Sequence, residues 1–389
     1  MKTQNSIRFA LLTAAALFTQ TAFAGKPPPP SPPPPPSSGA LVLDYGGDSE
    51  NHGLTIAPSG TIYASGVAVG SGMQVGRVIA SSDGGSTWIG PLDEFALPGF
   101  STYHFGGMAS DAAGNLYTVG FITDDDYIVP DRWIVRRSTN AGLSWTTVDD
   151  FSMGGSSGHF EGPTGIVVDA AGDIYVSGVS YSSNIPRWTI RKGIGGASFV
   201  TIDLIATSSQ ANAIFAHSTA GLFAAGYKSG VWAVRRSTNG GATWSDVDSF
   251  QLSKNNAADA LGIGADALGN VYVVGRGRAS NGMHWLVRKS TNGGMWFSTV
   301  DDFMSGNAEA RQFAVTLGGD LFVAGVANNS GLNRWILRKN VGGAGAWVTV
   351  DDFKYDSDFW TEPYAIAPDT SGNLFVGGTG GGHWIIKKY

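Results

Sequence analysis

The chain has 389 residues with 56 glycines and no cysteine; 14% of it is charged, and its formal net charge is −6. Glycine at about twice its usual ~7% share, with charge well below the usual ~25%, excludes a helix-rich domain and points to short strands joined by tight turns. The missing cysteines remove disulfide frameworks, thiolate metal sites and cysteine nucleophiles, and the mildly acidic balance excludes non-specific nucleic-acid binding, which needs clustered Lys and Arg.

Residues 1–24 have the pattern of a secretory leader: Lys2 and Arg8, an apolar run from Phe9 to Phe18, then the small-x-small site Ala22-Phe23-Ala24. The expectation is a cleaved signal peptide and a secreted or periplasmic product. No later stretch approaches the ~20 apolar residues of a transmembrane helix. Residues 25–39 follow as a linker in which Pro27 to Pro30 and Pro32 to Pro36 form an extended polyproline II spacer.

Residues 40–389 repeat. A turn glycine leading into a strand recurs seven times, at Gly60, Gly114, Gly172, Gly221, Gly269, Gly319 and Gly372. Six units continue with a strand opened by Trp133, Trp188, Trp232, Trp285, Trp335 or Trp384 and closed by basic residues, and most end on a strand such as Val148-Asp-Asp-Phe151. The aromatic markers lie from 48 (Tyr175 to Phe223) to 58 (Tyr117 to Tyr175) residues apart, room for four short strands. This predicts an all-β, seven-bladed β-propeller of four-stranded blades. The repeated tryptophans are expected to pack between adjacent blades. The seventh unit stops at Tyr389 one strand short, and Leu41 to Tyr45 reads as the strand that completes it and closes the ring.

At the third turn the chain reads Ser81-Ser-Asp83-Gly-Gly85-Ser-Thr87-Trp88. This resembles the Asp-box, or bacterial neuraminidase repeat, of sialidase-like propellers. Asn140 with Trp145 and Asn239 with Trp244 are Asn-for-Asp copies; Ser290 to Trp296 reads as one residue short, and units three and six keep only Gly195-Gly196 and Gly342-Gly343. The resemblance implies a superfamily that includes sialidases, other glycoside hydrolases, sorting-receptor ectodomains and photosystem assembly factors. It also implies that Ser81, Asp83, Gly85, Trp88, Asn140, Trp145, Asn239 and Trp244 build turns on the side away from the ligand. The Arg-Ile-Pro motif of the sialidases is missing, with only Ile185-Pro186-Arg187 in another order.

Ten residues before each landmark glycine stand Glu50, His104, Gly162, Ala211, Asp259, Glu309 and Glu362, with Glu161 next to the third. Five of seven blades thus offer a carboxylate at nearly the same place. The candidate ligand-binding rim is Glu50, His52, His104, Glu161, Asp259, Glu309, Arg311, Trp360 and Glu362, with Tyr103, His159, Asn212, Gln312 and Tyr364 nearby. Clustered carboxylates can accept sugar hydroxyls, hold a cation or divide into acid and base. Trp360 is the expected stacking residue, and the basic residues closing strand three are expected to pair with the acids of strand four. Asp124-Asp125-Asp126 lacks the spacing of a calcium loop, the histidines form no zinc motif, and no catalytic cofactor or metal is expected. The expected function is recognition of a glycan or protein through one face of a monomeric ring. The alternatives are a glycoside hydrolase or lyase using the rim carboxylates, and an envelope assembly or scaffold factor.

Overall fold

Each repeat folds as a meander of four antiparallel strands, because its turns carry residues that suit tight reversals. The landmark glycines Gly60, Gly114, Gly172, Gly269, Gly319 and Gly372 all sit at φ between 82° and 90° or close to it, as Gly269 does at 80°, a conformation that costs glycine nothing. Beside Gly269, the Asp266 carboxylate accepts the amide hydrogens of Leu268 and Asn270 and the hydroxyl of Tyr272, so the turn and the strand after it are fixed together.

The computed structural model describes residues 39–389 apart from 71–72, 125–129, 155–160, 330 and 356–359, and leaves aside the side chains of 70, 102–106, 124, 197 and 329. The expected leader, the proline tract to residue 38, His159 and Asp125-Asp126 lie outside the described residues, as do the side chains of Tyr103 and His104.

The described strands form seven four-stranded sheets. Their innermost strands are Glu50–Ile56, Phe100–Ser110, Gly162–Val168, Ser209–His217, Ala258–Ala265, Asn307–Val315 and Thr361–Pro368, numbered here as blades 1 to 7. Each innermost strand touches the next, and that of blade 7 touches that of blade 1, so the ring closes around a central channel. Ala40–Tyr45 is the outer strand of blade 7, antiparallel to His383–Lys388 with Tyr45 opposite Trp384. The fold is therefore a seven-bladed β-propeller closed by its N-terminal strand.

The core lies between the blades. Trp133, Trp188, Trp232, Trp285, Trp335 and Trp384 are fully buried, and Trp133 donates its indole hydrogen to the Val179 carbonyl of the following blade at 3.2 Å. Gly178, Gly226, Gly275 and Gly325 make room for the indole of the blade before: a Cβ on any of them would stand 2.5–2.9 Å from Trp133, Trp188, Trp232 or Trp285.

Ion pairs also bind blade to blade, which corrects the expectation that the pairing runs within a blade, although Arg235 also holds Asp246 of its own blade. Arg136 reaches Asp93, Arg191 reaches Asp149, Arg235 reaches Asp203, Arg288 reaches Asp248, Arg338 reaches Asp301 and Lys387 reaches Asp351, each acid on the outer strand of the preceding blade. The guanidiniums of Arg191 and Arg288 lie 3.9 Å and 4.0 Å from the Phe151 and Phe250 rings, so each pair is roofed by an aromatic face.

Candidate functional site

The innermost strands are irregular at equivalent places. Register shifts fall between Asn51 and Gly53, Pro163 and Gly165, Ala211 and Ala213, Ala260 and Gly262, Ala310 and Gln312, and Pro363 and Ala365. Each leaves one extra residue unpaired: His52, Thr164, Asn212, Leu261, Arg311 and Tyr364. A bulge of this kind re-aims a side chain, and here successive bulges hold on to one another. Asn212 donates to the Ala260 carbonyl at 2.8 Å, Thr164 to the Ala211 carbonyl at 2.5 Å, and the His52 ring stacks on Tyr364 at 4.8 Å.

Two places before each bulge stands the rim position, and strand register identifies it as Glu50, His104, Gly162, Gln210, Asp259, Glu309 and Glu362. Counting from the glycine gave Ala211 in blade 4; the correct residue is Gln210, because Gly221 comes one place later in its turn than the other landmark glycines. Four blades, not five, carry an acid in register. Glu161 precedes the position, is buried, and its carboxylate accepts the Tyr181 amide hydrogen at 2.7 Å while its own amide donates to Asp131. Both of these bonds lie outside the network formed by the others.

That network spans blades 5, 6, 7 and 1. Arg276 bridges Asp259 and Glu309 at 2.7 Å each. Arg311 bridges Glu309 and Glu362, also at 2.7 Å each. Tyr364 donates to Glu362 at 2.6 Å, Asn333 donates to its other oxygen, and the His52 ring lies 3.0 Å from the Glu50 carboxylate. Beside it opens a cavity of about 290 Å³ walled by Asn212, Leu261, Arg276, Glu309, Arg311 and Tyr364, together with Gln312.

Burial pushes the Glu309 carboxyl up, but the charges of Arg311 and then Arg276 outweigh it and hold the group below the ordinary glutamate value. For Glu362 burial is again the largest influence, and Arg311 and the Tyr364 hydroxyl overcome it. Glu50 is also held low, burial being outweighed by its hydrogen bond to His52. Burial and the charge of Glu362 drive the Tyr364 hydroxyl well above the ordinary tyrosine value, so it stays protonated and donates. Glu309 and Glu362 are thus held ionised chiefly by Arg311, and Glu50 by His52.

Arg276 and Asn333 were not foreseen. The only sequence signal for Arg276 is that it replaces the residue that is Val67, Val179 or Val326 in other blades, opposite the rim position. Trp360 is 54% exposed directly before the innermost strand of blade 7 and does not wall the cavity. His104 has its backbone at the rim position. Among the described residues no group of three or more His, Asp or Glu is placed to hold a metal ion, and no helix is long and apolar enough to cross a membrane.

At the third turns, the Ser81 hydroxyl accepts the Gly85 amide and donates to Asp83, whose carboxylate accepts both the amide and hydroxyl of Thr87. The Thr87 hydroxyl, its amide and Ser81 hold the Asp83 carboxyl at about 2. Asn140 and Asn239 make the matching bonds to Ser144 and Thr243. In blade 5 Asn292 accepts the amide hydrogen of Trp296, so this turn is full length: Trp296 holds the Thr87 place and Phe297 the Trp88 place.

No family model matches the chain, and no curated protein matches it either. Solved structures do resemble it. A streptogramin B lyase superposes with a TM-score of 0.59 at 15% identity, covering 90% of this chain and 97% of its own. YCF48 bound to a D1 peptide gives 0.56 at 14% identity over 92% and 99%. An α-L-arabinofuranosidase from Fusarium graminearum, in complex with an iminosugar inhibitor, gives 0.54 at 11% identity over 91% and 95%. At these identities the likeness is one of fold, shared by enzymes and by a peptide-binding protein.

Proposed function

We propose that this chain is an exported, non-catalytic recognition module whose channel mouth takes a glycan. The observation that carries this reading is the alternation Asp259, Arg276, Glu309, Arg311, Glu362, in which every acid is bridged by a guanidinium. A glycoside hydrolase needs one carboxylic acid kept protonated near neutral pH. Here Glu50, Glu309 and Glu362 are instead held below their ordinary value. Fixed, fully charged donors and acceptors suit hydroxyl groups, each of which both donates and accepts. A cavity of about 290 Å³ stands at the lower edge of the ~300–1,000 Å³ of usual ligand sites, room for a sugar ring rather than a folded partner. The Ser-x-Asp/Asn turns are read as Asp boxes that fasten the outer strands.

The test is a broad glycan array probed with residues 39–389, with mass spectrometry of each spot for released sugar. Retention without release, weakened by Gln312→Ala and Asn212→Ala, is the expected result. Released sugar would overturn the non-catalytic assignment in favour of a hydrolase or lyase, and a blank array would hand the face to a protein partner such as an envelope assembly factor engages.

A further inference from the structure

Six of the seven outer strands carry an acid on the face that looks back at the preceding blade. Each is held by a basic residue of its own blade: Glu94 by Arg77, Asp150 by Arg132, Asp246 by Lys228, Asp302 by His284, Asp352 by Arg334 and Asp44 by His383. In blades 2, 5, 6 and 7 the base stands just before the repeated tryptophan, diagonal to the acid. Blade 3 keeps that base as Arg187, and Thr189 two places on lies opposite residue 204 in the same register, but residue 204 is Leu. Among the described residues the Arg187 guanidinium finds no other acid, and its Nε is buried without a hydrogen-bond partner.

The same strand is the least guarded edge of the ring. Ala197–Ile205 runs for nine residues where the other outer strands run for six or seven. The reason is its turn: Gly195 and Gly196, both at positive φ, reverse the chain so tightly that pairing continues to Ile194 opposite Ala197. The one charged side chain of the strand, Asp203, points to the other face, where it is 9% exposed and paired with Arg235 of blade 4. Val200 and Leu204, by contrast, are 51% and 41% exposed. Native edges are kept from further pairing by outward charges, prolines or shortness, and this strand has none of the three.

We infer that the outer edge of blade 3 docks an extended, acidic segment of a partner protein, which adds as a fifth strand and supplies the carboxylate for Arg187. The added strand would lie two strand spacings from Arg187, about 10 Å backbone to backbone, a gap that the long arginine and a glutamate close together across Leu204. Main-chain bonds to the edge give affinity, and the ion pair selects the acid. The same strand of a second copy has no acid to offer, because its Asp203 is committed to Arg235. The site is on the outside of the ring and does not rest on the channel reading.

Leu204→Asp gives blade 3 the pair that the other blades have, so it keeps the fold while satisfying Arg187 and charging the edge. The experiment measures by fluorescence anisotropy the binding of labelled peptides, as long as the strand, of alternating threonine and valine, in which one glutamate or one glutamine is walked along the sequence. At least one glutamate peptide should bind, with its glutamine counterpart about tenfold or more weaker. Arg187→Gln should erase that difference, and Leu204→Asp should abolish binding with an unchanged or raised melting temperature. The channel variant Gln312→Ala should bind as the wild type does. Failure of every peptide, equal binding of the glutamate and glutamine series, undiminished binding to Leu204→Asp, or loss of binding in Gln312→Ala overturns the site. So does sedimentation in which the wild type self-associates and Leu204→Asp does not while no peptide binds, since a second copy would then be what covers the edge.

Discussion

Arg311 decides what the channel carboxylates can do. Its guanidinium is largely buried and bonded to both Glu309 and Glu362, and their opposing charges hold it well above the ordinary arginine value despite the burial. Glu309, Glu362 and Glu50 have folded pKa values below their ordinary 4.5. For such groups the stability contribution is fully present above the unfolded pKa and is lost as pH falls through the lower folded value. The wild type should therefore keep its melting temperature down to about pH 4.5 and lose it only below. In Arg311→Gln the largest offset to burial is lost, so both glutamates move upward and their stabilising effect disappears at higher pH. The expected result is a loss of about 3 kcal/mol near neutrality and an acid-unfolding midpoint raised by about one pH unit. Melting curves recorded from about pH 7 to about pH 3 measure both; parallel curves for the two proteins would refute the assignment.

At the level of elements, the blade-to-blade ion pairs behave differently from surface salt bridges. Arg191 and Asp149 have side chains only 8% exposed each, and the pair is bidentate beneath Phe151. Removing one partner leaves a buried charge alone, whereas replacing both with apolar residues removes the desolvation cost as well. Asp149→Leu should lose about 3 kcal/mol and Arg191→Met about as much, while the double variant should recover most of it. Chemical denaturation of the four proteins gives the cycle, and additive losses would show that the pair is not coupled. These pairs also mark the limit of what the sequence makes legible. Turn chemistry is local, so Gly60 or Asp266 with Gly269 announces a strand start within a few residues. Arg276 meets Glu309 across 33 positions, and Arg311 meets Glu362 across 51. Such partners follow only from knowing which strands are neighbours and where each bulge falls. The slip from Gln210 to Ala211 has the same origin, a turn whose glycine is displaced by one place.

At the level of the whole ring, the seventh junction is built unlike the other six. Where they pair a basic residue on the third strand with an acid on the preceding outer strand, strand register sets Ile79 at the basic place in blade 1 and Leu43 at the acidic place in the closing strand. Both members are apolar, and Leu43 packs against the cluster that holds Ile79, Phe375, Trp384 and Ile386. Arg77 reaches instead to the Tyr45 hydroxyl and to Glu94, and Asp44 accepts from Tyr355 at 2.7 Å and lies 2.6 Å from His383. The strand that must find its place from the far end of the chain is thus seated mainly by apolar packing, which needs no exact charge alignment as it docks. Deleting Leu41 to Tyr45 removes the partly buried Val42, Leu43 and Tyr45 from that cluster, about 4 kcal/mol at ~1.5 kcal/mol each. It also bares the edge of His383–Lys388 and separates blade 7 from blade 1. Because every blade is held only by its two neighbours, opening one junction loosens the whole circle, and the melting temperature should fall by about 5 °C or more in a single cooperative transition. Calorimetry of the truncated and intact rings tests this. A melting temperature unchanged by the truncation would mean that the closing strand does not hold the ring, and a separate early transition would mean that blade 7 unfolds alone.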